Sequence, residues 1–141
     1  MCIRDRHYNP EFILDFATLT GAVVVALGHV ATGIMGTNEI LIDKIKSSSN
    51  ITGEKVWEFP LWDEYLDQVK SNIADVKNLG APGQAGSIAG GAFLHSFVKK
   101  DIPWCHFDIA GSAWGNKNLP YQNKGLATGE MIRLVIDLLK I

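Results

Sequence analysis

The residues of the 141-residue chain that could do chemistry fall mainly in two stretches. In "WCHFDIAGSAW", His106 and Asp108 alternate; on a strand they share a face, and both could reach one metal ion. Two ligands do not make a site, and a buried His or Asp satisfied by backbone groups is the commoner arrangement. In "NLGAPGQAGSIAGG", Asn78–Gly91, glycines feed an apolar repeat, and a glycine loop opening a helix can cradle an anion. The Walker lysine is missing, since Gly86 is followed by Ser87, and glycines at 80, 83 and 86 do not fit the dinucleotide fingerprint. This segment reads as a surface loop or as the border of another ligand's pocket. No serine occupies a Gly-x-Ser-x-Gly elbow, so an acyl-enzyme has little support. His29, beside Gly28, and His95, within a helical repeat, read as structural or surface residues.

Two further stretches, "ATLTGA" and "DIAGSAWG", carry almost no bulk. Ligands of open parallel sheets bind beyond the carboxyl ends of strands. Gly21, Ala110, Gly111 and Ala113 would let a ligand approach closely, while Thr hydroxyls and backbone amides offer hydrogen bonds. The same small residues could instead let a helix pack on the sheet, and the pattern leaves both readings open.

The elements that must position these stretches follow from periodicity. "EFILDFATL" (Glu11–Leu19) reads as a strand buried on both faces, and "AVVVALG" as a short helix ending at Gly28. "TGIMGT" suggests a second strand, followed by a helix from Asn38 to Ser49 with Asn38 as N-cap and Ile40, Leu41 and Ile45 as the buried stripe. "VWEFPL" reads as a short strand and Asp63–Ser71 as an amphipathic helix carrying Trp62, Tyr65, Leu66 and Val69 at helical spacing. The Gly-rich loop leads to a helix with Ile88, Ala92, Phe93 and Phe97 on its repeat, and "WCHFDIAG" reads as an apolar strand. A polar loop over Asn116–Gln122 precedes a last helix, Gly129–Lys140, with Thr128 as its cap. Alternating strands and helices give the α/β class, a three-layer α/β/α arrangement with a mostly parallel central sheet.

Composition narrows the function classes. Hydrophobic residues make up 47% and charged residues 20%, with a formal charge of −2, which offers nothing to track a phosphate backbone or an anionic membrane surface. No nucleic-acid or membrane partner is expected. Cys2 and Cys105 are too few for a disulfide framework and suit a reducing compartment. The start "MCIRDR" is charged and lacks the apolar core of a secretory signal. The longest apolar run, Ala22–Leu27, falls far short of the roughly 20 residues that cross a bilayer.

In order and spacing, "DFATLTGAVVVALG", "ADVKNLG", "HFDIAGSAW" and "GLATG" resemble the C-terminal part of the catalytic domain of the leucyl aminopeptidase (cytosol aminopeptidase) family. The resemblance runs from about Tyr8 to Ile141. It implies a cytoplasmic, homohexameric exopeptidase that acts on peptides with two divalent ions, manganese or zinc. Carried over by position, Thr18, Gly21, Ala110 and Ala113 would line the pocket for the first substrate side chain. Leu19 would offer its backbone to the substrate, and the Gly21 amide would meet it. Leu79 would wall the pocket for the second residue. The family's metal ligands and catalytic groups, two lysines, two aspartates and an Asp-Ala-Glu-Gly-Arg loop, lie upstream of the part that matches Phe12–Leu19, and none occurs here. The metal ligands are therefore expected outside this chain, with no catalytic residue within it and a sheet incomplete on its N-terminal side. Residues 1–7 read as a foreign start and 8–141 as the C-terminal portion of the catalytic domain. The alternative is a non-catalytic protein that keeps the fold for assembly or ligand binding.

Overall fold

The β-branched and aromatic run before Thr18 forms strand β1 (Ile13–Ala17), and Thr20 ends the extended backbone by capping α2 (Gly21–Leu27). The Thr20 side chain accepts from the Val23 amide, and Gly28 closes the helix at φ 63°. The computed structural model describes residues 2–114 and 126–140. A helical turn, α1 (Cys2–Asp5), precedes β1. After α2 come β2 (Thr32–Gly36), α3 (Glu39–Thr52), β3 (Val56–Glu58), α4 (Asp63–Leu66), α5 (Gly86–His95), β4 (Trp104–Asp108) and α6 (Ile132–Leu139). Three-residue 3₁₀ turns occupy Arg6–Tyr8 and Asp67–Val69.

The four strands form one open sheet in the order β1-β4-β2-β3. β1 with β4 and β2 with β3 are parallel, while β2 and β4 run antiparallel, so most pairings are parallel. Helices α3 and α6 cover one face, where Ile34, Ile42, Ile45, Cys105, Phe107 and Leu134 form the larger core cluster. The other face carries α2 and α5, with Trp104 packed among Ile13, Ile102 and the half-buried Leu94 and Val98. This is the expected three-layer α/β/α architecture. No helix among the described residues is long and apolar enough to cross a membrane.

Four local expectations need correction. Strand β1 is not buried on both faces: Ile13 and Asp15 are buried, but Phe16 is 37% exposed on this edge strand. In α3 the Asn38 cap holds, its side chain accepting from the Leu41 amide, but Ile40 is 68% exposed and Ile42 takes its place in the core. Leu41, Ile42, Ile45, Ser48 and Ser49 face inward, and Ile40 lies about 100° around the helix from Leu41. The helix expected over Asp63–Ser71 is only α4 followed by a 3₁₀ turn. Trp62 is exposed and Val69 alone of the proposed stripe is buried, too little packing to hold a longer helix. Helix α6 starts at Ile132, not Gly129, and Thr128 does not cap it. Instead Glu54, distant in sequence and buried, accepts from the Met131 amide at 3.0 Å and the Leu134 amide at 2.7 Å. Its negative charge sits at the positive end of the helix. The polar loop expected over Asn116–Gln122 lies outside the described residues.

Candidate functional site

Because β1 and β4 are parallel neighbours with Ala17 opposite Asp108, "TLTG" and "IAGS" leave the sheet side by side at its carboxyl end. Asp108, fully buried, joins them. Its Oδ1 accepts from the amides of Leu19 at 3.0 Å, Thr20 at 3.4 Å and Ala110 at 3.3 Å, and its Oδ2 accepts the Thr20 hydroxyl at 2.7 Å. A buried carboxylate needs such donors, since an unpaired one would be costly. Two turns that would otherwise expose several amides are thereby fixed.

Above this junction lies a cleft of about 920 Å³ between α2, the Gly-rich segment and the start of α5. Leu19, Val25, Phe59, Leu79 and Phe93 give it an apolar lining, and Thr20 and Ser87 add hydroxyls. A Cβ at Gly90 would stand 2.9 Å from the Thr20 methyl and 3.0 Å from a Leu19 methyl, so those side chains would have to shift. Glycine is required at Gly111, where a Cβ would strike the Gly28 carbonyl oxygen. Gly111 therefore does allow close element packing, and Gly90 does the same in the lining of the cleft.

Of the six residues expected to meet a substrate, Leu19 and Leu79 line this cleft together. Thr18 and Gly21 are exposed, and a Cβ at Gly21 would enter open space. Ala110 and Ala113 are half-buried on the neighbouring turn, outside the cleft lining. Asp108 binds Leu19 to Ala110.

His106 and Asp108 share a face as their alternation requires, but they have different partners. His106 Nδ1 pairs with Asp15 Oδ1, and the Trp104 indole N–H donates to Asp15 Oδ2 at 2.5 Å, all three side chains being buried. Among the described residues no three His, Cys, Asp or Glu side chains gather as a ligand set. These residues do not by themselves fit a two-ion centre. Sequence reasoning missed the joining role of Asp108. The available signal was an acid ending an apolar strand, directly before a small-residue turn with free amides.

A family model described as the cytosol aminopeptidase family, catalytic domain, matches residues 1–136. A probable cytosol aminopeptidase of Geotalea uraniireducens is 50% identical over 135 residues, covering 96% of this chain and 27% of that protein. One from Cenarchaeum symbiosum is 44% identical over 139 residues, covering 96% and 28%. Among solved structures, a mutant of tomato leucine aminopeptidase superposes with a TM-score of 0.87 at 34% identity, covering 98% of this chain and 26% of that one. An α/β sheet with a cleft at the carboxyl ends of paired strands thus acquires a family: the chain belongs to the cytosol aminopeptidases, within their catalytic domain. It spans about a quarter of the length of the curated relatives it matches.

Proposed function

We propose that this chain forms the substrate-facing wall of a metal-dependent aminopeptidase that releases N-terminal residues from peptides. The observation that carries this reading is the pair of small-residue turns bound through Asp108 at the edge of an apolar cleft. In this reading Thr18, Gly21, Ala110 and Ala113 surround the first side chain of the peptide. Leu19 presents its backbone, the Gly21 amide meets the substrate, and Leu79 walls the second residue. Two divalent ions, manganese or zinc, belong to the complete enzyme, with ligands outside this chain, and the complete enzyme acts as a cytoplasmic homohexamer. The described residues bind and orient; none is assigned a catalytic role.

The experiment is Ala113→Phe in an active aminopeptidase carrying this chain. Overpacking the first pocket should lower kcat/KM for leucyl relative to alanyl substrates, by about 1–3 kcal/mol or roughly 5–150-fold. An unchanged leucyl-to-alanyl ratio contradicts the assignment.

A further inference from the structure

The Thr20 hydroxyl makes three hydrogen bonds with three different segments. It donates to Asp108 Oδ2 at 2.7 Å, accepts from the Val23 amide at 3.1 Å, and lies 3.2 Å from the Ser87 hydroxyl. A hydroxyl has one proton, and a carboxylate cannot donate. The Thr20 proton is therefore spent on Asp108, and Ser87 must donate to Thr20. The chain then runs in one direction, Ser87 to Thr20 to Asp108, and ends on a charge that strengthens it.

Its ends matter. Asp108 holds the two turns at the carboxyl ends of β1 and β4. Ser87, itself buried, is in the first turn of α5, directly after the Gly-rich segment that contributes Leu79 to the cleft. One turn further along α5, Gly90 packs on Thr20 and Leu19, so α5 cannot slide without disturbing the same residues.

We propose that the Ser87–Thr20–Asp108 chain is a positioning device that locks the small-residue turns beside the cleft, the proposed first-residue wall, to the segment carrying the second-residue wall. Thr20, Asp108 and Ser87 are positioning residues for the aminopeptidase reading, on which this inference rests. The register between the two walls, and with it the preference for the second substrate residue, is set by the Thr20 hydroxyl through its bonds to Ser87 and Asp108.

The test has two arms. Hydrogen exchange by mass spectrometry on this chain compares wild type, Thr20→Val, Thr20→Ser and Ser87→Ala over peptides spanning 18–24 and 84–92. Thr20→Val should speed exchange about tenfold in both regions, and Thr20→Ser should restore protection. Ser87→Ala should loosen 84–92 alone, and it carries the test if Thr20→Val does not fold. Loosening of 18–24 alone in Thr20→Val, equal loosening in the Ser variant, or no change at 84–92 in Ser87→Ala overturns the device. In an active aminopeptidase carrying this chain, Ser87→Ala should raise KM for leucyl dipeptides about tenfold with kcat within about twofold, and raise it less for leucyl-amide, which has no second residue. Equal changes on both substrates overturn the positioning role. A wild type without peptidase activity would overturn the aminopeptidase reading, while the exchange arm still decides the device.

Discussion

Replacing Glu54 by Gln should destabilise the fold out of proportion to the single atom changed. Glu54 is 3% exposed and accepts two backbone amides at the start of α6, with the Arg133 Nε 3.6 Å from its Oε1. Glutamine keeps the shape, but one end becomes a donor facing a backbone N–H, so one of these two bonds is lost and its amide is left buried. A hydrogen bond to a charged group contributes about 1.5–3 kcal/mol. Losing the negative charge at the helix N-terminus adds about 0.5–1 kcal/mol. The sum is about 2–4 kcal/mol. With a urea m-value of about 2 kcal/mol/M, the unfolding midpoint should fall by about 1–2 M. The assay is urea denaturation of this chain followed by circular dichroism, with Arg133→Gln as a comparison expected to lose under about 1 kcal/mol, because that ion pair is long and partly exposed. A Glu54→Gln midpoint within about 0.3 M of wild type would refute the claim that a side chain from the α3–β3 junction caps α6.

Two further outcomes follow from burial. Desolvation, reinforced by Lys100, holds His95 below its ordinary value. The unfolded chain therefore binds more protons, and the stability given by neutral His95 is full above about pH 6.5 and drains as pH falls below it. His95→Leu should flatten the dependence of unfolding free energy on pH between about 5 and 7, and an unaltered slope argues against this. Burial, with Asp15 and Glu58 assisting, pushes the Cys105 thiol far above its ordinary range. Iodoacetamide at mildly alkaline pH should leave Cys105 unmodified in the folded chain and alkylate it in urea, as read by peptide mapping. Rapid native alkylation would contradict its place in the core.

The parts of the fold that could be read from the sequence are those written locally. The run from Asp15 to Gly28 carries its own strand, cap and terminating glycine, and the Asn38 cap of α3 is likewise signalled within a few residues. Pairings between distant residues have no such signature. Nothing near β4 announces that it inserts between β1 and β2 and runs against β2. The Glu54 cap of α6 spans 77 residues to Met131, and the bond from Leu19 to Asp108 spans 89. The positions proposed to face a substrate were reached through resemblance, whereas the buried groups that join the neighbouring turns, Asp108, Thr20 and Ser87, and the separate Asp15–His106–Trp104 cluster became visible only once the sheet order was known.

The measurement that bears most directly on the central claim is leucyl-amide hydrolysis in the presence of Mn²⁺, by this chain alone and by the chain joined to an upstream segment bearing the family's Asp-Ala-Glu-Gly-Arg loop and lysines. Two-metal hydrolysis needs ions and substrate wall held in one geometry; on the proposed reading the described residues, which line a cleft and gather no ligand set, supply only the wall. The joined protein should turn over and lose activity with a chelator, while the chain alone should not. Chelator-sensitive turnover by the chain alone, or an inert joined protein that is folded and metal-loaded, would contradict the account.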